Sequence, residues 1–148
     1  MNSHQCVIED PQSFIYLLQK LSADQIEYVR KCHQQDPSMV IDAIEKFIPD
    51  DVFKMCRRIA SNPNTSIEVL TKLSDYKDGY VRWLVTQNPN TSVEILTKLS
   101  DDKCVNIREY VARNPSTPVD ILTKLSNDKN GYIRWCVAQN PNFKSKHL

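Results

Sequence analysis

The stretch NPNTSVEILTKLSDD, from Asn88 to Asp102, decides the fold of this 148-residue chain, because NPNTSIEVLTKLSDY at residues 62–76 repeats it 26 residues earlier. An Asn-Pro or Asp-Pro pair recurs at that spacing, beginning at residues 10, 36, 62, 88, 114 and 140. Such repetition is typical of solenoids, in which each unit buries its apolar face only against its neighbours. The sequence predicts one domain over residues 1–148, with repeats from 10, 36, 62, 88 and 114, an N-terminal cap at 1–9 and a tail at 140–148.

Each repeat is predicted to form two short helices. Thr65, Thr91 and Thr117 precede an acidic residue by three positions, the spacing of a helix-capping box, and Pro118 then falls at the first helical position. Apolar residues recur on one face of each helix, and no long alternating pattern favours a strand. The predicted columns are Ile15, Ile41, Ile67, Val93, Val119; Leu18, Ile44, Leu70, Leu96, Leu122; and Leu21, Phe47, Leu73, Leu99, Leu125 on the first helix, then Val29, Met55, Val81, Ile107, Ile133 and His33, Ile59, Val85, Val111, Val137 on the second.

The fold class predicted from these patterns is therefore an all-α solenoid of about five 26-residue two-helix repeats. About nine residues separate the preceding loop from each Asn-Pro pair, so the second helices are either α or 3₁₀. His33 stands in an apolar column and is predicted to be a packed histidine.

Composition excludes several classes of site. Lys and Arg number 19 against 18 Asp and Glu, a net charge of +1, so there is no global field to attract nucleic acid or an anionic membrane. Only two glycines occur, which argues against a phosphate-binding loop. Five cysteines without a CxxC pair favour reduced thiols, no metal site and no cofactor. With neither a secretion signal nor a long apolar run, the chain is expected to be cytoplasmic, with no membrane partner.

Two segments carry a family resemblance. GYVRWLVTQNPNTSVEILTKLSDD, residues 79–102, and NIREYVARNPSTPVDILTKLSND, residues 106–128, resemble the leucine-rich repeat variant family and are similar to HEAT-type repeats. The motif is specific over residues 81–141 and weakens upstream, where Cys56 occupies an Arg column. The resemblance implies a right-handed superhelix, second helices on the concave side, and protein binding rather than any one chemistry.

Two charged columns are nearly constant along the repeats. The resemblance to HEAT-type repeats implies that the Arg column hydrogen-bonds loop aspartates, namely Asp75, Asp101 and their neighbours, with an interrupted and looser junction at Cys56. A Lys column is interpreted as a solvated face rather than a ladder for phosphates, because acidic residues lie nearby. The Arg column is Arg30, Arg82, Arg108 and Arg134, and the Lys column is Lys20, Lys46, Lys72, Lys98 and Lys124.

The variable columns are the predicted interaction site, because a repeat that tolerates change at a position exposes it. Aromatic side chains and Arg anchor interfaces, although packing of Trp between adjacent repeats is the alternative. One column follows the Arg and the other precedes it by two residues. The predicted partner-binding residues are Trp83, Trp135, Tyr80, Tyr132, Arg57, Lys31 and Glu109.

Three functions remain open from the sequence. The favoured one is a non-enzymatic protein-binding module, an adaptor or a small inhibitor that occupies a surface, either monomeric or dimeric through a solenoid end. The second is nucleic-acid binding, since Tyr and Trp stack on bases. The third is a HEAT-like enzyme acting on a flipped base, for which Glu109 is the in-column acid or base. The favoured prediction includes no catalytic residue.

Overall fold

The computed structural model of the chain describes the backbone of residues 11–147 and the side chains of residues 11–144. This part contains helices and turns but no β-strand, in agreement with the all-α prediction. The α-helices are α1 Pro11–Gln19, α2 Ala23–Gln35, α3 Val40–Glu45, α4 Pro49–Ser61, α5 Ile67–Leu73, α6 Gly79–Gln87, α7 Val93–Leu99, α8 Val105–Arg113, α9 Val119–Leu125, α10 Gly131–Gln139 and α11 Pro141–His147, with a 3₁₀ turn at Pro37–Met39. The second helices of the repeats are therefore α-helices.

The helices of residues 49–139 form two layers. Helices α4, α6, α8 and α10 pack side by side in chain order, and the short helices α5, α7 and α9 pack on them from one side. The core lies between the layers, because two apolar columns of each layer face inwards: Leu70, Leu96, Leu122 and Leu73, Leu99, Leu125 from one, and Val81, Ile107, Ile133 and Val85, Val111, Val137 from the other. The side chains of α4, α6, α8 and α10 that point away from the core form a surface.

The short helices begin one residue later than predicted. Ser66 and Ser92, rather than Thr65 and Thr91, are the N-caps, and Pro118 is itself the N-cap of α9. The threonine hydroxyl instead donates to a carbonyl of the preceding helix, as Thr65 Oγ1 does to Ile59 O at 2.6 Å. Because the helix starts later, Ile67 becomes its first residue and is 50% exposed, so the first predicted apolar column is mostly a surface column in this region.

The N-terminal part departs from the regular stack. Helix α2 packs on α3 and the 3₁₀ turn, whereas α4 contacts α1, and no comparably extensive packing joins α2 to α4. DPSM at residues 36–39 replaces the usual NPNTS, and the Asp36 carboxylate caps the 3₁₀ turn at Ser38 N, 2.9 Å away. The prediction of a packed His33 is wrong, because its side chain is exposed at the edge of this irregular segment.

The C-terminal tail folds back on the last repeat. Helix α11 contacts α9 and α10, and Phe143 packs against the core. The predicted N-terminal cap at residues 1–9 lies outside the described residues.

Candidate functional site

The outer surface of α4, α6, α8 and α10 carries a group of aromatic and basic side chains, here called the aromatic face: Arg57, Tyr80, Trp83, Tyr110, Tyr132 and Trp135. On α6 and α10 the Tyr and the Trp are three residues apart, and side chains at that spacing lie on the same side of a helix. Capping fixes where these helices begin. Asp78 accepts from Tyr80 N at 2.7 Å, and Asn130 accepts from Tyr132 N at 2.9 Å.

Ring contacts run without a break across three helices. The Arg57 guanidinium lies 4.4 Å from the centroid of the Tyr80 ring, a cation–π arrangement between α4 and α6. Tyr80 contacts Trp83 at 4.9 Å between centroids, and Trp83 contacts Tyr110 of α8 edge to face at 5.4 Å. The side chains are thereby held in defined positions, so little rotamer freedom remains to be lost when a ligand binds.

The two tryptophans differ in accessibility. Trp83 is partly buried between Tyr80 and Tyr110, and its indole N–H is buried with no acceptor in the described part of the chain. Trp135 is 55% exposed and Tyr132 is 52% exposed, and their rings stack at 5.5 Å with an interplanar angle of 15°. The two similar sequence motifs therefore form one packed aromatic pair and one open pair.

Glu109 does not face the aromatic rings as an unpaired acid. Its carboxylate accepts from Arg113 at 3.2 Å, one turn along α8. That hydrogen bond, helped by the nearby Tyr132, raises the pKa of Arg113. Burial raises the pKa of the neighbouring Cys136 thiol, and the charge of Glu109 acts in the same direction, so the thiol stays protonated at neutral pH.

Lys31, a predicted site residue, and Tyr28 lie outside these ring contacts, whereas Tyr110 belongs to them although it was not predicted. Lys31 is exposed on α2, outside the ring contacts that join α4 to α8. Tyr28, in the same column as Tyr80, packs instead on Phe47 at 5.4 Å. Tyr110 was not predicted, because its column elsewhere holds Cys32, Arg58, Leu84 and Cys136 and shows no aromatic pattern.

Two members of the Arg column form buried ion pairs with the following repeat. Arg82 binds both carboxylate oxygens of Asp102, at 2.7 and 3.1 Å, and Arg108 binds Asp128 at the same distances. The accepting aspartates thus lie 20 residues after each Arg, and Asp102 is one of the predicted neighbours of Asp101. Asp75 and Asp101 themselves pair with lysines.

The ends of the Arg column differ from its middle. Arg30 pairs with Glu27 on its own helix, and the exposed Arg134 donates to the carbonyls of Asp128 and Lys129. Cys56 replaces the Arg in the second repeat, and Tyr76 replaces the matching Asp. Cys56 and Tyr76 are both fully buried. Helix α4 packs on α6 at least as extensively as α6 packs on α8, so the looser junction predicted at Cys56 is not found.

Most of the Lys column is engaged on its own molecule. Lys98 and Lys124 pair with Asp75 and Asp101 of the preceding repeats. Lys20 and Lys46 lie over the rings of Tyr16 and Tyr28, at 5.1 and 4.8 Å. The two ion pairs neutralise Lys98 and Lys124, and the two rings hold the ammonium groups of Lys20 and Lys46 on the protein surface.

The described residues contain neither a metal-binding cluster nor a helix that could span a membrane. Across residues 11–144, no three His, Cys, Asp or Glu side chains are grouped so as to hold a metal ion. None of the helices between residues 11 and 147 has the length and apolar character needed to cross a bilayer.

Comparison with known proteins identifies one family. Residues 105–130 match the family described as leucine rich repeat variant, which confirms the resemblance for one complete repeat from α8 to the loop before α10. No curated protein and no solved structure matches the chain. The match is to a helical repeat module, a class that typically mediates protein interactions.

Proposed function

We propose that this chain is a right-handed α-solenoid of about five repeats, a single domain over residues 1–148, that binds another protein through its aromatic face. In this proposal it acts without catalysis or cofactor, as an adaptor or as an inhibitor that occupies a surface. It is cytoplasmic, and it is a monomer or a homodimer through a solenoid end.

The observation that carries the proposal is the continuous set of contacts from Arg57 through Tyr80 and Trp83 to Tyr110. Interface hot spots are enriched in Trp, Tyr and Arg that are held in place before binding. The open pair of Tyr132 and Trp135 adds exposed aromatic area on the same layer of helices.

Charge favours protein over nucleic acid as the partner. The aromatic face carries Arg57, but that guanidinium already lies on Tyr80, and Arg113 is paired with Glu109. Lys98 and Lys124 are paired with aspartates on the other layer. A nucleic-acid interface needs a cluster of unpaired cations, because phosphate contacts supply most of its affinity.

An enzymatic role on a flipped base has less support. Glu109, the acid or base considered for it, is hydrogen-bonded to Arg113 and its side chain is only 19% exposed. A general base must lie within hydrogen-bond reach of the proton that it removes, and this carboxylate is engaged by Arg113 of its own helix.

The test compares partners captured by three forms of the protein from cells that express it. Tyr80→Ala with Trp135→Ala removes two exposed rings of the face, while Ile67→Ala with Val93→Ala removes equally exposed apolar groups from the opposite layer. Trp83 is left in place because it is packed between two other rings. We expect a protein that is retained by wild type and by the opposite-layer variant and is lost with the face variant; a partner set unchanged by the face variant would refute the proposal.

A parallel titration addresses nucleic acid. Labelled single- and double-stranded DNA and RNA are added at low and at moderate salt. We expect no binding tighter than roughly 10⁻⁴ M at moderate salt, the weak end of non-specific binding. Tight binding that weakens steeply with salt would replace the protein-binding proposal.

A further inference from the structure

Asparagine side chains connect the loops of successive repeats. Asn90 Nδ2 donates to Pro63 O at 2.7 Å and to Thr65 O at 3.1 Å in the preceding loop. Asn142 makes the same two bonds, to Pro115 O at 2.6 Å and to Thr117 O at 3.1 Å. Each primary carboxamide thus satisfies two carbonyls that the helices leave unused, the proline carbonyl through an exposed bond and the threonine carbonyl through a half-buried one.

The loop between these two lacks the carboxamide. Ser116 occupies the position that corresponds to Asn90 and Asn142, and its side chain is too short to span the gap. In the described part of the chain, Pro89 O and Thr91 O accept no side-chain hydrogen bond, unlike the matching carbonyls one repeat before and one repeat after. Two acceptors held in the geometry that binds a carboxamide are therefore open at this junction.

A groove of about 390 Å³ lies at this point. Pro89, Thr91 and Ser116 line it together with Tyr110 of the aromatic face and Arg113. Arg113 uses one guanidinium nitrogen to bind Glu109, and an Arg side chain has five N–H donors in all. The residues that line the groove thus supply two carbonyl acceptors, guanidinium donors and an aromatic ring.

The charge of the groove selects a neutral ligand. Arg113 is neutralised by Glu109, and the carbonyls of Pro89 and Thr91 repel anions. A carboxylate or a phosphate could accept from Arg113, but it has no N–H donor and would leave the carbonyls of Pro89 and Thr91 unpaired beside its negative charge. A primary carboxamide has two N–H donors and one carbonyl, which complement both walls.

We propose that this groove binds the side chain of an asparagine from an extended segment of the protein partner, whose N–H donors replace the missing carboxamide at Pro89 O and Thr91 O. The proposal rests on the proposed function in taking the ligand to be a protein segment. The groove adjoins Tyr110, so one segment can occupy the groove and run on along the aromatic face.

The probe is N-acetyl-asparagine N-methylamide, added to ¹⁵N-labelled protein up to roughly 50 mM, with the aspartate and leucine analogues as matched probes. We expect saturable amide shifts for residues 89–92 and 113–117 with the asparagine probe alone. Ser116→Asn supplies the carboxamide from the chain itself and should weaken binding about tenfold or more, the effect of about 1.4 kcal/mol. Ser116→Ala should bind the probe as wild type does.

Ser116→Asn also gives a readout independent of any ligand. It restores the repeat pattern, so we expect a urea midpoint above that of Ser116→Ala, because two carbonyls gain donors. Absence of saturable shifts, equal shifts with the leucine or aspartate probe, or undiminished binding to Ser116→Asn would overturn the inference. A partner that requires Tyr80 and Trp135 but binds Ser116→Asn normally would refute the groove alone and leave the proposed function standing.

Discussion

Replacing Asp102 with Ala should destabilise the protein by about 3 kcal/mol, because it strands a buried guanidinium. Arg82 donates to Asp102 from Nε and Nη2, and the two side chains are each only 8% exposed. Removing one partner of a buried ion pair costs about 3–5 kcal/mol, since the remaining charge stays desolvated. Arg82 keeps bonds to Tyr76 O and Lys77 O at 2.8 and 3.0 Å, which places the expected loss at the lower end.

Asp102 also fixes the start of the next helix. Its Oδ1 accepts from Cys104 N at 2.8 Å, in the loop before α8, so the substitution removes a second bond at the same junction. The loss should therefore appear as weaker coupling between α6 and α8, the helices that hold Trp83 against Tyr110.

The matched control is Asp101→Ala, one residue away. Asp101 is 67% exposed and pairs with Lys124, which is 46% exposed. An exposed pair of this kind contributes less than about 1 kcal/mol. Urea unfolding followed by far-ultraviolet circular dichroism and by tryptophan fluorescence gives both values. The buried-pair reasoning would be refuted if Asp102→Ala lowered the free energy of unfolding by less than about 1 kcal/mol, or by no more than Asp101→Ala does.

Two further predictions use the same protein. Burial is the largest single influence on the pKa of Asp102 and raises it, but the hydrogen bonds from Arg82 and Cys104 N and the positive charges of Arg82 and Lys103 together outweigh burial, so the net pKa is lowered. The hydrogen bond from Arg108 lowers the pKa of Asp128. A lowered folded-state pKa stabilises the protein above the ordinary value of 3.8, so the urea midpoint should fall as pH drops below that value, and fall less in Asp102→Asn. An identical pH profile in that variant would contradict this. Separately, acrylamide should quench the fluorescence of Trp83→Phe strongly, because its remaining indole, Trp135, is 55% exposed. It should quench that of Trp135→Phe weakly, because Trp83 is packed between two rings. Equal quenching of the two variants would contradict the assigned burial.

The second and third apolar columns of the short helices were predictable because a helix repeats every 3.6 residues and the chain repeats every 26, whereas the first column lies mostly on the surface. Leu70, Leu96 and Leu122 are buried as expected for one face of such a helix. The helix start was missed by one residue, because Thr65 and Ser66 are adjacent and both have a hydroxyl. A contact outside the helix distinguishes them: the Thr65 hydroxyl donates to Ile59 O, and Ser66 is the N-cap.

The partners of the Arg column required a comparison between columns. Arg82 and Arg108 each have an Asp 20 residues later, and where Cys56 replaces the Arg, Tyr76 replaces the Asp. Replacing both members of a buried ion pair by less polar residues is tolerated, whereas replacing one is not. That joint change is visible in the sequence and identifies Asp102 and Asp128 as the acceptors.

The irregular N-terminal packing and the contacts of the aromatic face were less accessible to sequence reasoning. The packing of α4 against α1, rather than along α2, depends on tertiary contacts that no local pattern specifies. Tyr110 of α8 belongs to the face because its ring contacts Trp83 of the neighbouring helix, and only the distance between the two helices reveals this.

The most direct test of the central claim is the affinity of the captured partner, purified and titrated calorimetrically into wild type, the Tyr80→Ala with Trp135→Ala variant, and the Ile67→Ala with Val93→Ala variant. If the aromatic face is the interface, the face variant should bind at least about 30-fold more weakly, the equivalent of about 2 kcal/mol for one hot-spot side chain, and the opposite-layer variant should bind as wild type does. Equal affinity of the face variant and wild type, or an equal loss in both variants, would contradict the account.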